Sequence, residues 1–449
     1  MHITIATLGT AGDIRPYVPL ALGLEKFGHK VRIAAFAYDD AAEEFVRSFG
    51  IEFVPMDWEL VDIGEYFLKK RIFNIRTLNE IAWISEELKN KNGMLTQLWQ
   101  VCQGTDAIMF NTTVFPCIYI AEKLGIPCYL VPVQPHHQTR AFYYSHMPYF
   151  KHLGSIYNWF SYPLFDQILW LYIRPTINQW RQEILNLPPL LFFVSVLRYI
   201  QQRKIPALYG YSPSFLPKPS EWQEHVHVTG YCFLDNPDNW QPPTNLINFL
   251  SEGSPPIYIS RLWHPEHFTK EVLLELSALT GQRIIVQSSN NDDLDDTEFT
   301  DKILSIKGSV YHNWLFPKMS VVVHQAGLGT IMTSLRVGVR MIVIVDDGNI
   351  FLNDHEFWAA HLEQSGLGIN FTVPQKEQLS AQKLAAAIKT AINDKAMQAR
   401  VVEISKKIQV EDGVQRAIEA FHKHLPSNLL PEFNMEFIPH LSQVKRSQS

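Results

Sequence analysis

A run of valines passes through spaced glycines into a helical pattern at Val321-Val322-Val323-His324-Gln325-Ala326-Gly327-Leu328-Gly329-Thr330, which Ile331-Met332-Thr333-Ser334-Leu335 continues. An apolar β-branched run without polar alternation suits a strand covered on both faces. A strand that turns through glycine into a helix is half of a βαβ unit, and such units build parallel sheets. The corner also offers chemistry. Glycine lets the backbone approach a ligand closely, and a helix start presents unpaired N–H groups and a positive dipole end. Together they suit a phosphate. Read structurally, the same residues make an ordinary corner with His324 packed at a strand end, since strand–glycine–helix turns recur throughout α/β proteins.

The N-terminus repeats the pattern. Ile3 to Leu8 reads as a strand, Gly9 to Asp13 as a turn, and Pro16 to Phe27 as a helix with proline in its first turn and Gly28 at its end. Val31 to Phe36, Ile51 to Pro55, Ala107 to Asn111 and Cys128 to Val133 read as further strands, with a helix from Phe115 to Leu124 closing at Gly125. A second α/β series follows: strand Ile257 to Ser260, helix Pro265 to Leu279, strand Arg283 to Gln287, then the valine strand, its helix, and strand Met341 to Val345. Ala385 to Lys423 reads as helix interrupted at Gly413. Between the two series, Tyr209 to Pro243 carries Pro213, Pro217, Pro219, Pro237, Pro242 and Pro243, a composition suited to a connector. Asn290 to Glu298 reads as a solvated acidic loop.

A dense aromatic stretch covers residues 140 to 200, including Tyr143, Tyr144, Tyr149, Trp159, Phe160, Phe165 and Trp170. It reads either as helices packed on the core or as an apolar pocket or membrane-facing surface. The chain has 449 residues, enough for two or three domains. Its net charge of -6 excludes a general nucleic-acid footprint. Four scattered cysteines without metal-ligand spacing argue against zinc and against a disulfide framework. The start lacks a basic region and a cleavage site, and no apolar run is long enough to span a bilayer, so a cytoplasmic protein is expected.

With both ends in view, the chain resembles nucleotide-sugar-dependent glycosyltransferases of the GT-B fold, above all the sterol and natural-product glucosyltransferases. Thr7 to Tyr17 resembles the family's T-x-G-T-R-G-D-V-Q-P-Y, and Gln134-Pro135 with Thr139 to Phe142 resembles its acceptor-side loop. His225 to Tyr231 resembles the segment entering the linker. Trp314-Leu315-Phe316-Pro317 and the valine–glycine corner resemble the donor half, and Asn353 to Trp358 resembles G-D-Q-P-F-W. The resemblance covers nearly the whole chain. It implies two Rossmann-like α/β domains facing across a cleft: 1–215 binding the acceptor, 216–245 a linker, 246–405 binding the nucleotide sugar, 406–425 a helix packing back on the first domain, and 426–449 a tail. It implies Asp13 as general base. His324, Gln325, Gly327, Gly329, Thr330 and Arg261 would serve the diphosphate, and Asp354 and His355 the sugar. Gly12, His136, His137 and Thr139 would line the acceptor side. It requires no metal and no cofactor, only a nucleotide sugar, a UDP-sugar first, as co-substrate. The acceptor would be a lipophilic alcohol, with peripheral membrane contact through the aromatic stretch.

The departures lie mostly on the donor side. Where the family has H-H-G-G-A-G-T, Gln325 replaces a histidine, and Ala326 and Leu328 add bulk. Where it has G-F-G-S, the chain has Ser260-Arg261-Leu262-Trp263. Asp346-Asp347-Gly348-Asn349 adds carboxylates before Asp354, His355 replaces Gln, and Ala11 and Arg15 flank the Asp13 turn. The resemblance therefore implies an inverting hexosyltransferase. Its alternatives are a ligand-binding homologue that has lost donor use and a GT-B enzyme with altered donor chemistry.

Overall fold

The computed structural model describes residues 1–9, 11–37, 41–56, 84–86, 88–90, 93–147, 150, 153–235, 240–262, 265–288, 301–308, 310–346, 353–374 and 377–429. Tyr149, Trp263, the acidic stretch 290–298, the loop at 347–349 and the tail beyond 429 lie outside them.

Two compact units divide the chain: Met1–Leu234 together with the stretch from Asp412, and Asp235–Glu411. In the first, β1 (His2–Gly9), β2 (Lys30–Ala37), β3 (Glu52–Pro55), β4 (Ala107–Phe110), β5 (Cys128–Leu130), β6 (Ala207–Tyr209) and β7 (Val226–Val228) form a parallel sheet in the order β3-β2-β1-β4-β5-β6-β7. In the second, β8 (Ile257–Ser260), β9 (Ile284–Ser288), β10 (Ile303–Lys307), β11 (Val321–His324), β12 (Met341–Asp346) and β13 (Gly368–Val373) form a parallel sheet in the order β10-β9-β8-β11-β12-β13. Each series starts at a central strand, winds outward, then returns to the other side. The strand order therefore reverses between β1 and β4, and between β8 and β11. Ligands of such sheets bind beyond the carboxyl ends of the strands at these points.

The strands are apolar because helices cover both sheet faces; β4, β8 and β11 are buried throughout. The connector-like segment contributes β7, and its Tyr211, Phe215 and Trp222 are buried. Proline-rich composition there marks turns around a buried edge strand. The expected long C-terminal helix is three: Ala381–Asn393, Lys395–Gln409 and Gly413–Lys423. Asp394 breaks it before Gly413 does. This residue ends one helix and caps the next, its Oδ1 accepting from Met397 N at 2.8 Å. The Gly413–Lys423 helix belongs to the first unit and buries Ala417, Ile418, Ala420 and Phe421 in its core. Large side chains so buried stabilise by about 1.5–3 kcal/mol each. Its first residue must be glycine, since a Cβ on Gly413 would come within 2.5 Å of the Tyr231 carbonyl oxygen.

The aromatic stretch centres on a 30-residue helix, Gly154–Glu183. One side buries Tyr162, Phe165, Trp170 and Trp180. The opposite side leaves Leu153, Ile156, Phe160, Leu164 and Leu171 about half exposed or more. The following loop extends this apolar surface with Leu191 at 73% and Phe193 at 64% exposure. Helix side chains grip the loop backbone: Trp170 Nε1 donates to Leu191 O, Gln167 Nε2 to Phe192 O, and Asn178 pairs with Leu190 through both its amide groups.

Candidate active site

In the second unit, the residues that the sequence singles out gather at the β8/β11 reversal. β11 ends at His324, and the Leu328–Val337 helix starts after Gly327 with no side-chain cap. Ala326 bridges them with φ +62°, a left-handed conformation costly for a residue with a Cβ. A Cβ on Gly327 would lie 3.8 Å from His355 Nε2, which brings the first turn of the Asn353–Gln364 helix to the corner. Gly329 and Thr330 lie in the first turn of their own helix, and Thr330 N donates back to Gly327 O at 3.1 Å. Asp354 precedes His355 in the other helix and is half-buried.

His324 is 2% exposed, and neither ring nitrogen has a hydrogen-bond partner among the described residues. Burial, then the neighbouring His355 and His312, push its pKa down to about 3, so the ring is neutral at pH 7. Gln325 and Arg261 also bond to the protein's own backbone. Gln325 Nε2 donates to Ser260 O at 2.8 Å and ties β11 to β8. Arg261 is 4% exposed, with Nε donating to the carbonyls of Pro265 and Phe268 at 3.1 and 3.0 Å. Both polar heads hold the corner together.

Sequence reasoning missed three neighbours. Gln287 Nε2 donates to Gly308 O at 2.8 Å, which leaves its Oε1 to accept from Tyr258 OH and from His312 Nε2 at 3.0 Å. His312 stacks on Phe316 at 4.3 Å. Its position two residues before the Trp314-Leu315-Phe316-Pro317 motif was the available signal.

In the first unit, Gly12 and Asp13 are exposed in the short Ala11–Ile14 helix at the carboxyl end of β1. The Asp13 carboxylate lies over Gly9, where φ is +144° and a Cβ would stand 2.3 Å from Oδ2. Glycine is needed there both for the backbone angle and for the room it leaves the carboxylate. Below it, Tyr17 OH donates to Val131 O at 2.8 Å and Asn111 Nδ2 to Thr7 Oγ1 at 2.8 Å, fixing the β1/β4 reversal.

His136, His137 and Thr139 form a separate bonded group. The backbone N–H groups of His136 and His137 both donate to Tyr209 OH, at 2.9 and 3.0 Å, and His137 Nδ1 also meets it, at 2.7 Å. His136 is bonded through both ring nitrogens, to Thr112 and Tyr144. Burial drives both imidazoles to the neutral form, His137 to a pKa of about 3. Thr139 Oγ1 donates to Glu221 Oε1 at 2.7 Å, and that carboxylate also accepts from Arg140 N. These contacts make His136, His137 and Thr139 the frame of the 134–146 loop. A cavity of about 220 Å³ lies elsewhere, by Glu122, Cys128, Arg203 and His424 near the amino ends of β5 and β6.

Residues 3–143 match the glycosyltransferase family 28 N-terminal domain. A sterol 3-beta-glucosyltransferase of Arabidopsis thaliana is 32% identical over 453 positions, spanning 97% of this chain and 70% of that one. The sterol 3-beta-glucosyltransferase of Cryptococcus neoformans (serotype D, strain JEC21) is 29% identical over 456 positions, and there the chain spans only 27% of the relative. The crystal structures of the kitacinnamycin and calicheamicin glycosyltransferases superpose with TM-scores of 0.67 and 0.66 at 18% and 16% identity, covering 95% and 94% of this chain and 99% and 98% of theirs. Those superpositions carry the fold, two parallel α/β units of the GT-B type, and the relatives carry the family. By sequence across almost its entire length and by fold in both units, the chain belongs to the sterol 3-beta-glucosyltransferase family of glycosyltransferases.

Proposed function

We propose that this chain moves a hexose, with inversion, from a nucleotide sugar to the hydroxyl of a sterol-like lipophilic alcohol. The observation that carries the donor half is His324: a buried imidazole with no partner among the described residues, four residues before the uncapped helix that starts at Leu328. Such a corner is complementary to a diphosphate. The family's relatives are named for glucose transfer to sterols, and a neighbour of the same fold, at 15% identity and a TM-score of 0.59, was crystallised with dTDP.

Asp13 takes the acceptor proton in this reading. The acceptor oxygen forms its bond to the anomeric carbon while the bond from that carbon to the diphosphate breaks. The electron pair leaves with the nucleoside diphosphate, and the proton passes to the carboxylate. A carboxylate with a pKa of roughly 4 in water is a weak base for an alcohol. Proton transfer therefore follows once the oxygen has begun to bond. The helix start and His324 stabilise the departing charge. The nucleotide sugar is a co-substrate, and the scheme uses no cofactor or metal.

The exposed apolar side of the Gly154–Glu183 helix, with Leu191 and Phe193, is read as lipid-facing. Among the described residues no helix is long and apolar enough to cross a membrane. Sedimentation with vesicles tests the lipid contact. The activity test is sterol glucoside formation from UDP-, TDP- and GDP-glucose, followed by mass spectrometry. Product is expected with at least one donor and a loss of about 100-fold or more in Asp13→Ala. Full turnover in that variant removes Asp13 from the mechanism.

A second reading, a binding protein that has lost donor use, draws on one observation. Gln325 and Arg261, two polar heads at the donor corner, spend hydrogen bonds on the protein's own carbonyls. It requires that no nucleotide sugar shift the melting temperature.

A further inference from the structure

Buried imidazoles normally spend their ring nitrogens on hydrogen bonds, because a polar atom removed from water without a partner costs free energy. His136 follows that rule, with both nitrogens engaged. His324 does not, although it is just as buried. The groups that act on its proton affinity are burial, His355 from the Asn353–Gln364 helix, and His312 from the His312–Leu315 turn; all oppose a positive charge.

The neighbouring network places the protons. A Gln287 amide that gives its N–H to Gly308 O must present Oε1 to His312. Oε1 only accepts, so His312 carries a proton on Nε2. Tyr258 OH, at 3.2 Å from His312 Nε2 and also bonded to Gln287, completes the clamp. His355 Nε2 lies against Gly327 at the helix start. Three imidazoles thus converge on the corner where an anion would dock, and His355 and His312 discourage His324 from charging.

We propose that this histidine cluster takes up a proton from solvent when a diphosphate diester docks at the start of the Leu328–Val337 helix, so that donor binding is proton-coupled. The proposal rests on the donor reading above and adds a property which that reading does not require. A docked dianion reverses the sign of the local field. The proton settles on an imidazole nitrogen facing a phosphate oxygen, and that N–H then donates to the oxygen. No bond in the donor changes. His324 is the central acceptor, while His312 and His355 set how strongly it resists charging in the empty corner.

UDP-glucose is the probe, because its diphosphate is a diester that does not titrate near neutrality. Calorimetric titration of the full chain in buffers of different ionisation enthalpy counts the protons taken up. Uptake approaching one proton is expected near pH 7. Affinity should strengthen by up to about tenfold for each pH unit lowered between pH 8 and 6. His324→Gln keeps a neutral donor at the position and should bind more weakly with no buffer or pH dependence. If this variant fails to fold, the buffer dependence of the unaltered chain still decides. Tight binding with no proton uptake and a flat pH profile overturns proton coupling and leaves the donor reading standing. No binding of UDP-, TDP- or GDP-glucose overturns both.

Discussion

Mild acid should loosen the C-terminal helix of the first unit. His422, in that helix, meets His29 with Nε2···Nε2 at 3.0 Å and rings stacked at 5.2 Å between centroids. His422 Nδ1 contacts Ile418 O at 2.9 Å, and a carbonyl only accepts. Nδ1 therefore bears the proton, Nε2 of the neutral ring is bare, and His29 donates to it. One proton can be added to this pair without breaking the bond; a second sets N–H against N–H. At the C-cap of the same helix the arrangement repeats: His227, in β7, meets His424 with Nε2···Nε2 at 2.9 Å. The charges facing these pairs are mostly positive. His29 feels burial, then His422, then the N-terminal ammonium, and its pKa falls to about 4. His227 feels burial, then His424, Lys423, Lys218 and His225, and also falls to about 4.

The unfolded pKa of histidine is about 6.5. Below it the unfolded chain binds protons that the folded chain refuses, so stability is intact above that pH and is lost as pH falls toward 4. For His29, 5% exposed, a drop from 6.5 to about 4 corresponds to about 2 kcal/mol lost by pH 5. His227 is half-buried and solvent-screened, so its share is discounted to about 1 kcal/mol. Hydrogen exchange reads the outcome directly. The amides of Gly413–Lys423 should exchange roughly 100-fold faster, relative to intrinsic rates, at pH 5 than at pH 7.5, and His29→Phe should blunt the difference. Equal protection at the two pH values would refute the assignment of these pairs as neutral, proton-refusing contacts.

Gly9→Ala should cost about 1–3 kcal/mol from the positive φ alone. Because its Cβ displaces Asp13, turnover should fall by more than the lost stability explains; circular dichroism melts beside product assays separate the two. Leu191→Ser with Phe193→Ser should leave the melting temperature nearly unchanged, since both side chains are largely exposed. The same variant should lower the fraction of protein that sediments with sterol-containing vesicles, and unchanged sedimentation would count against a lipid-facing surface.

The sheets were legible because a buried parallel strand leaves an unmistakable trace. Ile257 to Ser260 and Met341 to Val345 are apolar runs, and the structure makes them β8 and most of β12. Gly125 and Gly281 stop their helices in the left-handed conformation, as glycine does at a helix end. Asp394 is no helix breaker by type; the break shows only as a shift in phase between the buried stripe Leu384, Ile388 and Ala391 and the buried stripe Met397, Val401 and Ile408. Arg261 reads in sequence as a cation for phosphate, and the structure adds that its Nε donates to the carbonyls of Pro265 and Phe268. Backbone carbonyls have no sequence signature. The His29–His422 pair spans 393 positions, and only the fold brings such partners together. His312 stood beside a quoted motif, but its meaning depends on Gln287 and Tyr258, which arrive from neighbouring strands.

The first unit is discontinuous: the chain leaves it after Leu234 and re-enters at Asp412. Anyone exchanging halves between relatives to recombine donor and acceptor preferences needs two crossovers, one near 234 and one near 411. A graft joined at the first point alone would seat a foreign terminal helix in the native core, where Phe421 packs on Tyr129 at 4.7 Å between ring centroids and accepts its hydroxyl through the backbone carbonyl. Hybrids made with a single splice should therefore precipitate or melt early, whatever sugar or alcohol they were designed to use.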